Sequence, residues 1–353
     1  MKKERESNFE FLRIICMLMI VLLHTLGHGG GLTNTNVNSF NFFISHLIES
    51  LSIVAVNVYV IITGYFSINK TKINIYKLLI LYAQMYFYSI LISSVFILIK
   101  PDLIDLKQII NSVLPFSTQL WWFMSIYLVL SLLTPYINRL LIVLRKRELD
   151  YLIAILFFIF ILWPSGIKIL KPIDDSGGYS LYHFIFMYIV GAYINLRWKE
   201  KSFKKVLSSI IYISGSILLA IINVFISRLL GRNFGVYSYN FILIFITSVA
   251  LFLFFKEIKL KNKFINRISI LTLGIYLIHD HPLVRKTIYD VLGYSRSFNT
   301  NNYILTTIIV ALVIFILCMI IELARQYIFN FIGKNLLTKR CNFSQLIKTK
   351  LKF

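Results

Sequence analysis

The chain has 353 residues, of which 58% are hydrophobic and 15% charged, with a formal net charge of +22. Its mean hydropathy is +0.76. A soluble globular fold of this size has too little interior to hide that much apolar surface. About ten apolar runs approach bilayer-spanning length, at 9–27, 42–66, 74–99, 118–142, 149–163, 179–196, 206–230, 238–255, 268–284 and 303–330. They are long and lack strict alternation, which favours helices over a closed barrel. The expected fold is therefore all-α, a polytopic membrane helix bundle. Residues 1–335 form one membrane domain, and 336–353 form a basic cytoplasmic tail.

Net positive charge raises the question of nucleic acid, but its distribution answers otherwise. Most of the 37 basic residues fall in alternate loops: around Lys2 to Arg5, Lys70 to Lys77, Arg145 to Arg147, Arg197 to Lys205, Lys256 to Arg267, and the stretch from Lys334 onward. The intervening loops hold few. This positive-inside pattern places both termini in the cytoplasm, with an even number of spans. Attraction to anionic membrane lipid follows from it. The first run lacks a small-residue cleavage site and is expected to be retained. Cys16, Cys318 and Cys341 suggest neither a disulfide framework nor a metal cluster. Abundant Ile, Asn, Lys and Phe suggest a low-GC bacterial gene and a plasma-membrane location.

In chain order, the first run is the most informative. It carries Glu10, Arg13 and His24 inside apolar sequence, where ionisable groups are costly and tend to mark function. Eleven residues at about 100° each return Arg13 and His24 to within roughly 20° of one face, about 16 Å apart. Alone, Arg13 reads as a snorkelling anchor and His24 as a packing hydrogen bond. Sharing one face, they point to a site. Glu10 is placed to pair with Arg13.

The second run contains Asn57, a buried amide that needs partners, and Gly64, which allows close helix approach. Lys70 and Lys72 follow at its cytoplasmic exit. They read either as topogenic lysines or as a phosphate-binding rim. Trp121 and Trp122 open the fourth run and read as an aromatic belt or as a platform for a sugar ring. The ninth run ends in His279, Asp280, His281 and Pro282; the proline predicts a kink there. One histidine or Asp280 is expected to orient a group in a cavity. Adjacent residues point to different helix faces and no second cluster accompanies them, so no metal is expected. His183 and Glu322 are further intramembrane polar residues. His28 and His46 are expected at the outer loop or interface without a special role.

The ordered motifs resemble the acyltransferase-3 family of integral membrane acyltransferases. Phe9 to Arg13 is similar to the family's Leu-Asp-x-Leu-Arg opening, with Glu10 in place of the acid. Arg13, ten residues and His24 match its Arg-x10-His motif. The segments 55–66, 120–123, 188–194 and 273–279 are also similar to family segments. The family's Arg-x-x-Arg motif is not matched, and Lys70 and Lys72 occupy that region. The resemblance implies transfer of an acyl group, usually acetyl from cytoplasmic acetyl-CoA, to a hydroxyl on a sugar-containing acceptor. In that setting Arg13, Lys70 and Lys72 would hold coenzyme A phosphates. The pantetheine arm would run along the first helix to His24. His24 would act as general base or carry the acyl group itself. Asn57, Trp121, Trp122, His279 and Asp280 would serve the substrate. The implied acceptor is a glycan or lipid-linked glycan of the cell surface, such as capsular polysaccharide. The competing reading is a polytopic glycan flippase or polymerase. A transporter would more often show repeated halves or broken helices at matching positions.

Overall fold

A computed structural model describes residues 6–166, 176–198 and 203–350, and among these it is helical without strands. The longer helices are α1 (Ser7–Gly27), α2 (Phe40–Ser52), α3 (Ala55–Ser67), α4 (Ile75–Ile99), α5 (Trp122–Val143), α6 (Lys146–Phe157), α7 (Leu181–Trp198), α8 (Lys205–Leu230), α9 (Ile242–Lys256), α10 (Thr272–His279) and α11 (Tyr303–Lys350). Among the described residues, seven segments are long and apolar enough to cross a bilayer. They are Ser7–Gly27, Phe40–Ser67, Ile75–Ile99, Trp122–Val143, Lys146–Gly166, Lys205–Leu230 and Tyr303–Phe331. Large apolar side chains such as Leu98, Val143, Phe225 and Leu305 are exposed on the outer faces, a surface suited to lipid.

The other three expected spans look different. α7 has 18 residues and includes His183, Asn195 and Arg197. α9 has 15 residues. The ninth run is not one helix. It breaks into Lys263–Ile268, a tight turn at Ser269–Leu271, α10, and Pro282–Arg285. Pro282 lacks the N–H needed to continue a helix and starts a new one, capped by the His281 side chain. Several residues behind the charge-pattern argument lie outside the described residues: Lys2, Lys3, Arg5, Lys168, Lys171, Lys199 and Lys201. So do the side chains of the expected basic tail.

α1 lies centrally and packs against α2, α3, α9, α10 and α11. The tightest approach joins α3 to α7. A Cβ built on Gly64 would overlap the carbonyl oxygen of Tyr188, and one built on Gly191 would overlap that of Ile61. Two glycines thus let the backbones touch, the small-residue packing of membrane helices. Asn138 of α5 then holds the chain just after α3, donating to the carbonyls of Ser67 (2.7 Å) and Lys70 (2.8 Å).

Glu322 of α11 is fully buried and saturated with partners. It accepts from Tyr88 at 2.6 Å, Arg325 at 2.6 and 2.8 Å, Gln326 at 2.8 Å and Gln84 at 3.3 Å. Gly274 of α10 leaves room for this carboxylate. Glu322 therefore clamps α4, α10 and α11. Glu322→Leu strands Arg325, and breaking a buried pair costs about 3–5 kcal/mol. The expected result is a marked fall in the melting temperature of the purified protein, with Glu322→Gln falling less.

Candidate functional site

A cavity of about 840 Å³ runs beside α1. Glu10, Arg13, Met17, Ile20, His24 and Gly27 line it, a single stripe at i+3/i+4 spacing. At about 1.5 Å per residue the stripe covers roughly 25 Å of helix. Its volume lies within the range of ligand sites, about 300–1,000 Å³.

One end is cationic. Arg13 pairs with Glu10 one turn earlier, and its carbonyl accepts from Tyr59 of α3 at 2.6 Å. Lys77 also lines the cavity. A smaller hollow of about 120 Å³ shares Thr63, Lys77, Leu81 and Tyr127 with the main cavity and adds Lys70 and Lys72. The Lys70 ammonium donates to the Ser67 hydroxyl at 2.8 Å. Partial desolvation, then the neighbouring Lys77 and Arg13, hold Lys70 below the usual lysine range. Crowded cations of this kind are relieved by an anion.

The other end is built around His24. Its Nδ1 lies 3.0 Å from His279 Nε2, and His279 Nδ1 lies 2.6 Å from the Ile275 carbonyl. A carbonyl only accepts, so His279 carries its proton on Nδ1. In the neutral ring its Nε2 must then accept, so His24 Nδ1 donates. His24 Nε2 is left with the lone pair. Asp280 Oδ1, 3.4 Å from His24 Nδ1, is placed to stabilise an imidazolium there. Arg285 lies 3.4 Å from the same oxygen and 3.1 Å from His28 Nε2. Burial and that guanidinium lower the basicity of His28, against the pull of Asp280.

His24, His28 and Asp280 bring three metal-ligand atoms within 4.8 Å of one another. The donor set suits a divalent ion. The Arg285 guanidinium, however, sits on two of the three and already supplies the positive charge. The arrangement fits an internal ion-pair network better than a metal site.

The structure brings Glu10, Arg13, His24, Trp122 and Asp280 to one cavity and sets Lys70 and Lys72 in the adjoining hollow. Three expected site residues stand elsewhere. Asn57 is fully buried and consumed by packing: its amide donates to the Tyr239 carbonyl at 2.9 Å, and its oxygen lies 2.8 Å from His183 Nε2. Trp121 is fully buried with its ring edge-on to His281, 5.5 Å between centroids, and does not line the cavity. His279 stands behind His24 rather than in the lining. His28, just past the end of α1 and exposed, lines the cavity beside Arg285. His46 is fully buried, 2.7 Å from the Tyr237 hydroxyl, rather than at an interface. Sequence reasoning passed over Lys77, Glu49, Tyr179, Tyr239, Tyr276 and Arg285, all in the lining. Glu49 alone carried a readable signal, a carboxyl inside an apolar run.

Apolar helices of spanning length around a charged internal cavity define a multi-pass membrane protein with a buried site. Residues 6–323 match the acyltransferase-3 family, described as an acyltransferase domain, and the chain belongs to that family. It is a membrane acyltransferase. No curated protein and no solved structure matches the chain.

Proposed function

We propose that the protein moves an acetyl group from cytoplasmic acetyl-CoA to a hydroxyl of a bacterial cell-surface glycan, with His24 as general base. The observation that carries this reading is the hydrogen-bond chain from the Ile275 carbonyl through His279 to His24. It presets the tautomer a base requires, at one end of a cavity whose other end is cationic. Coenzyme A has the matching form, an anionic nucleotide on a long thin arm. Arg13, Lys70, Lys72 and Lys77 hold its phosphates, and the arm follows the α1 stripe to bring the thioester to His24.

The acceptor hydroxyl then gives its proton to His24 Nε2 as its oxygen attacks the thioester carbonyl. The carbon–sulfur bond breaks, and the thiolate leaves with the proton from the imidazolium. The proton on His24 Nδ1 faces His279, so Nε2 is free to accept. Asp280 supports the transient positive charge. Glu10 orients Arg13 toward the donor.

The direct test is NMR of the surface glycan from a strain lacking the protein. Acetyl ester signals should disappear and return with the wild-type gene; unchanged acetylation without the protein contradicts the reading for that glycan. For the donor rim, the Lys70→Ala, Lys72→Ala double variant should raise the KM for acetyl-CoA roughly tenfold, the value of one or two lost charge-assisted contacts. An unaltered KM would leave those lysines a topogenic role alone.

A further inference from the structure

Among the described residues, Glu322 has four side-chain partners, Glu10 has Arg13, and Asp280, though its Oδ1 makes no hydrogen bond, faces the cation Arg285 and two histidines. Glu49 has no such cation beside it. It is 7% exposed, lines the main cavity, and its buried Oε2 has no hydrogen-bond partner. A buried carboxyl without a protein partner is costly, and such a cost is accepted where a ligand completes the bonding. Glu49 closes the last turn of α2, whose Ile53 N–H bonds the Glu49 carbonyl before the chain turns into α3.

The same cavity has a wall of aromatic rings. Trp122 meets Tyr179 at 4.6 Å and Tyr239 at 5.9 Å between centroids, and the two tyrosines meet at 4.8 Å. All three line the cavity. The wall is assembled by a turn. Gly178 has φ +86°, and a Cβ there would lie 2.8 Å from Tyr239 Cβ, so only glycine lets Tyr179 fold against Tyr239. The Tyr239 N–H bonds the Gly177 carbonyl at 2.8 Å and fixes the pair.

Flat apolar rings beside one hydrogen-bonding carboxyl match the two faces of a sugar. A pyranose ring presents aliphatic C–H groups on its flat face and hydroxyls around its edge. We propose that Glu49, Trp122, Tyr179 and Tyr239 form a subsite for one neutral pyranose unit of the acceptor. The C–H face packs on the ring wall, and an edge hydroxyl bonds the Glu49 carboxyl. Glu49 is thus a specificity residue, not a catalytic one. The proposal rests on the sugar-acceptor reading above and adds where the sugar sits.

The test is saturation-transfer NMR on the nanodisc-embedded protein with methyl pyranosides of glucose, galactose, mannose and N-acetylglucosamine, and sorbitol as the acyclic control. At least one pyranoside should receive saturation at its ring C–H protons, while sorbitol does not. Trp122→Ala should abolish the signal. Glu49→Leu should weaken affinity by about tenfold or more, and Glu49→Gln, which keeps hydrogen bonding, by less. Coenzyme A binding by each variant verifies folding. If no pyranoside exceeds sorbitol, or if folded Glu49→Leu binds like wild type, the subsite is wrong. Pyranoside binding with this pattern in a wild-type protein that transfers no acetyl group would sustain the subsite and sink the transfer reading. Acetyl transfer to a glycan without pyranoside saturation would do the reverse.

Discussion

His24→Ala lowers acyl transfer by about two to four orders of magnitude, the usual worth of a positioned general base. Coenzyme A release by the purified protein reads this directly through its free thiol. The loss falls on kcat, because His24 lies at the far end of the cavity from Arg13 and the lysines. The KM for the donor stays near its wild-type value. His279→Ala is the sharper control. It leaves the base in place but removes the ring that accepts from His24 Nδ1 at 3.0 Å. Asp280, 3.4 Å from the same nitrogen, still favours the right tautomer. The loss is therefore smaller than for His24→Ala, about tenfold to a hundredfold, the scale found where a partner that orients a metal-bound imidazole is removed. Equal losses for both variants would make His279 a direct participant. No loss for His24→Ala would remove the base from the mechanism.

Gly64→Ala and Gly191→Ala each destabilise the bundle by about 3 kcal/mol or more, beyond ordinary overpacking. The added methyl at either position overlaps a backbone carbonyl of the facing helix, and backbone has no rotamer by which to retreat. α3 and α7 must separate, which pulls Asn57 from His183. The expected readout is loss of monodisperse protein on extraction and a lower melting temperature. Gly27→Ala is the control, since a Cβ there meets nothing within 4 Å. Its melting temperature stays at the wild-type value.

What could be read in the sequence was local in the chain. The Arg13–His24 face follows from helical period alone, and the same period puts Glu10, Met17, Ile20 and Gly27 on the cavity stripe. The Glu10–Arg13 pair sits one turn apart and was legible for the same reason. Pro282 announced a break that the structure shows as a chain of short helices. The rest depends on contacts that local spacing does not encode. His279 and Asp280 reach His24 across more than 250 residues of chain. Arg285 becomes the internal cation beside Asp280 because α10 stops at His279 and the short helix Pro282–Arg285 follows it. Asn57 lies apart from the cavity lining. A polar residue in an apolar run is suggestive, but its amide is spent on His183 and the Tyr239 carbonyl. The adjacent Trp121 and Trp122 point to different surroundings, so one is packed in the core and the other lines the cavity.

Acetyl-CoA labelled in its acetyl carbon, supplied to the wild-type protein in nanodiscs with lipid-linked surface glycans, tests the central claim most directly. Label should appear in the glycan as an ester that hydroxylamine removes, with one free coenzyme A released per ester formed. Label retained after hydroxylamine, or coenzyme A that is never released in step with glycan labelling, would contradict it.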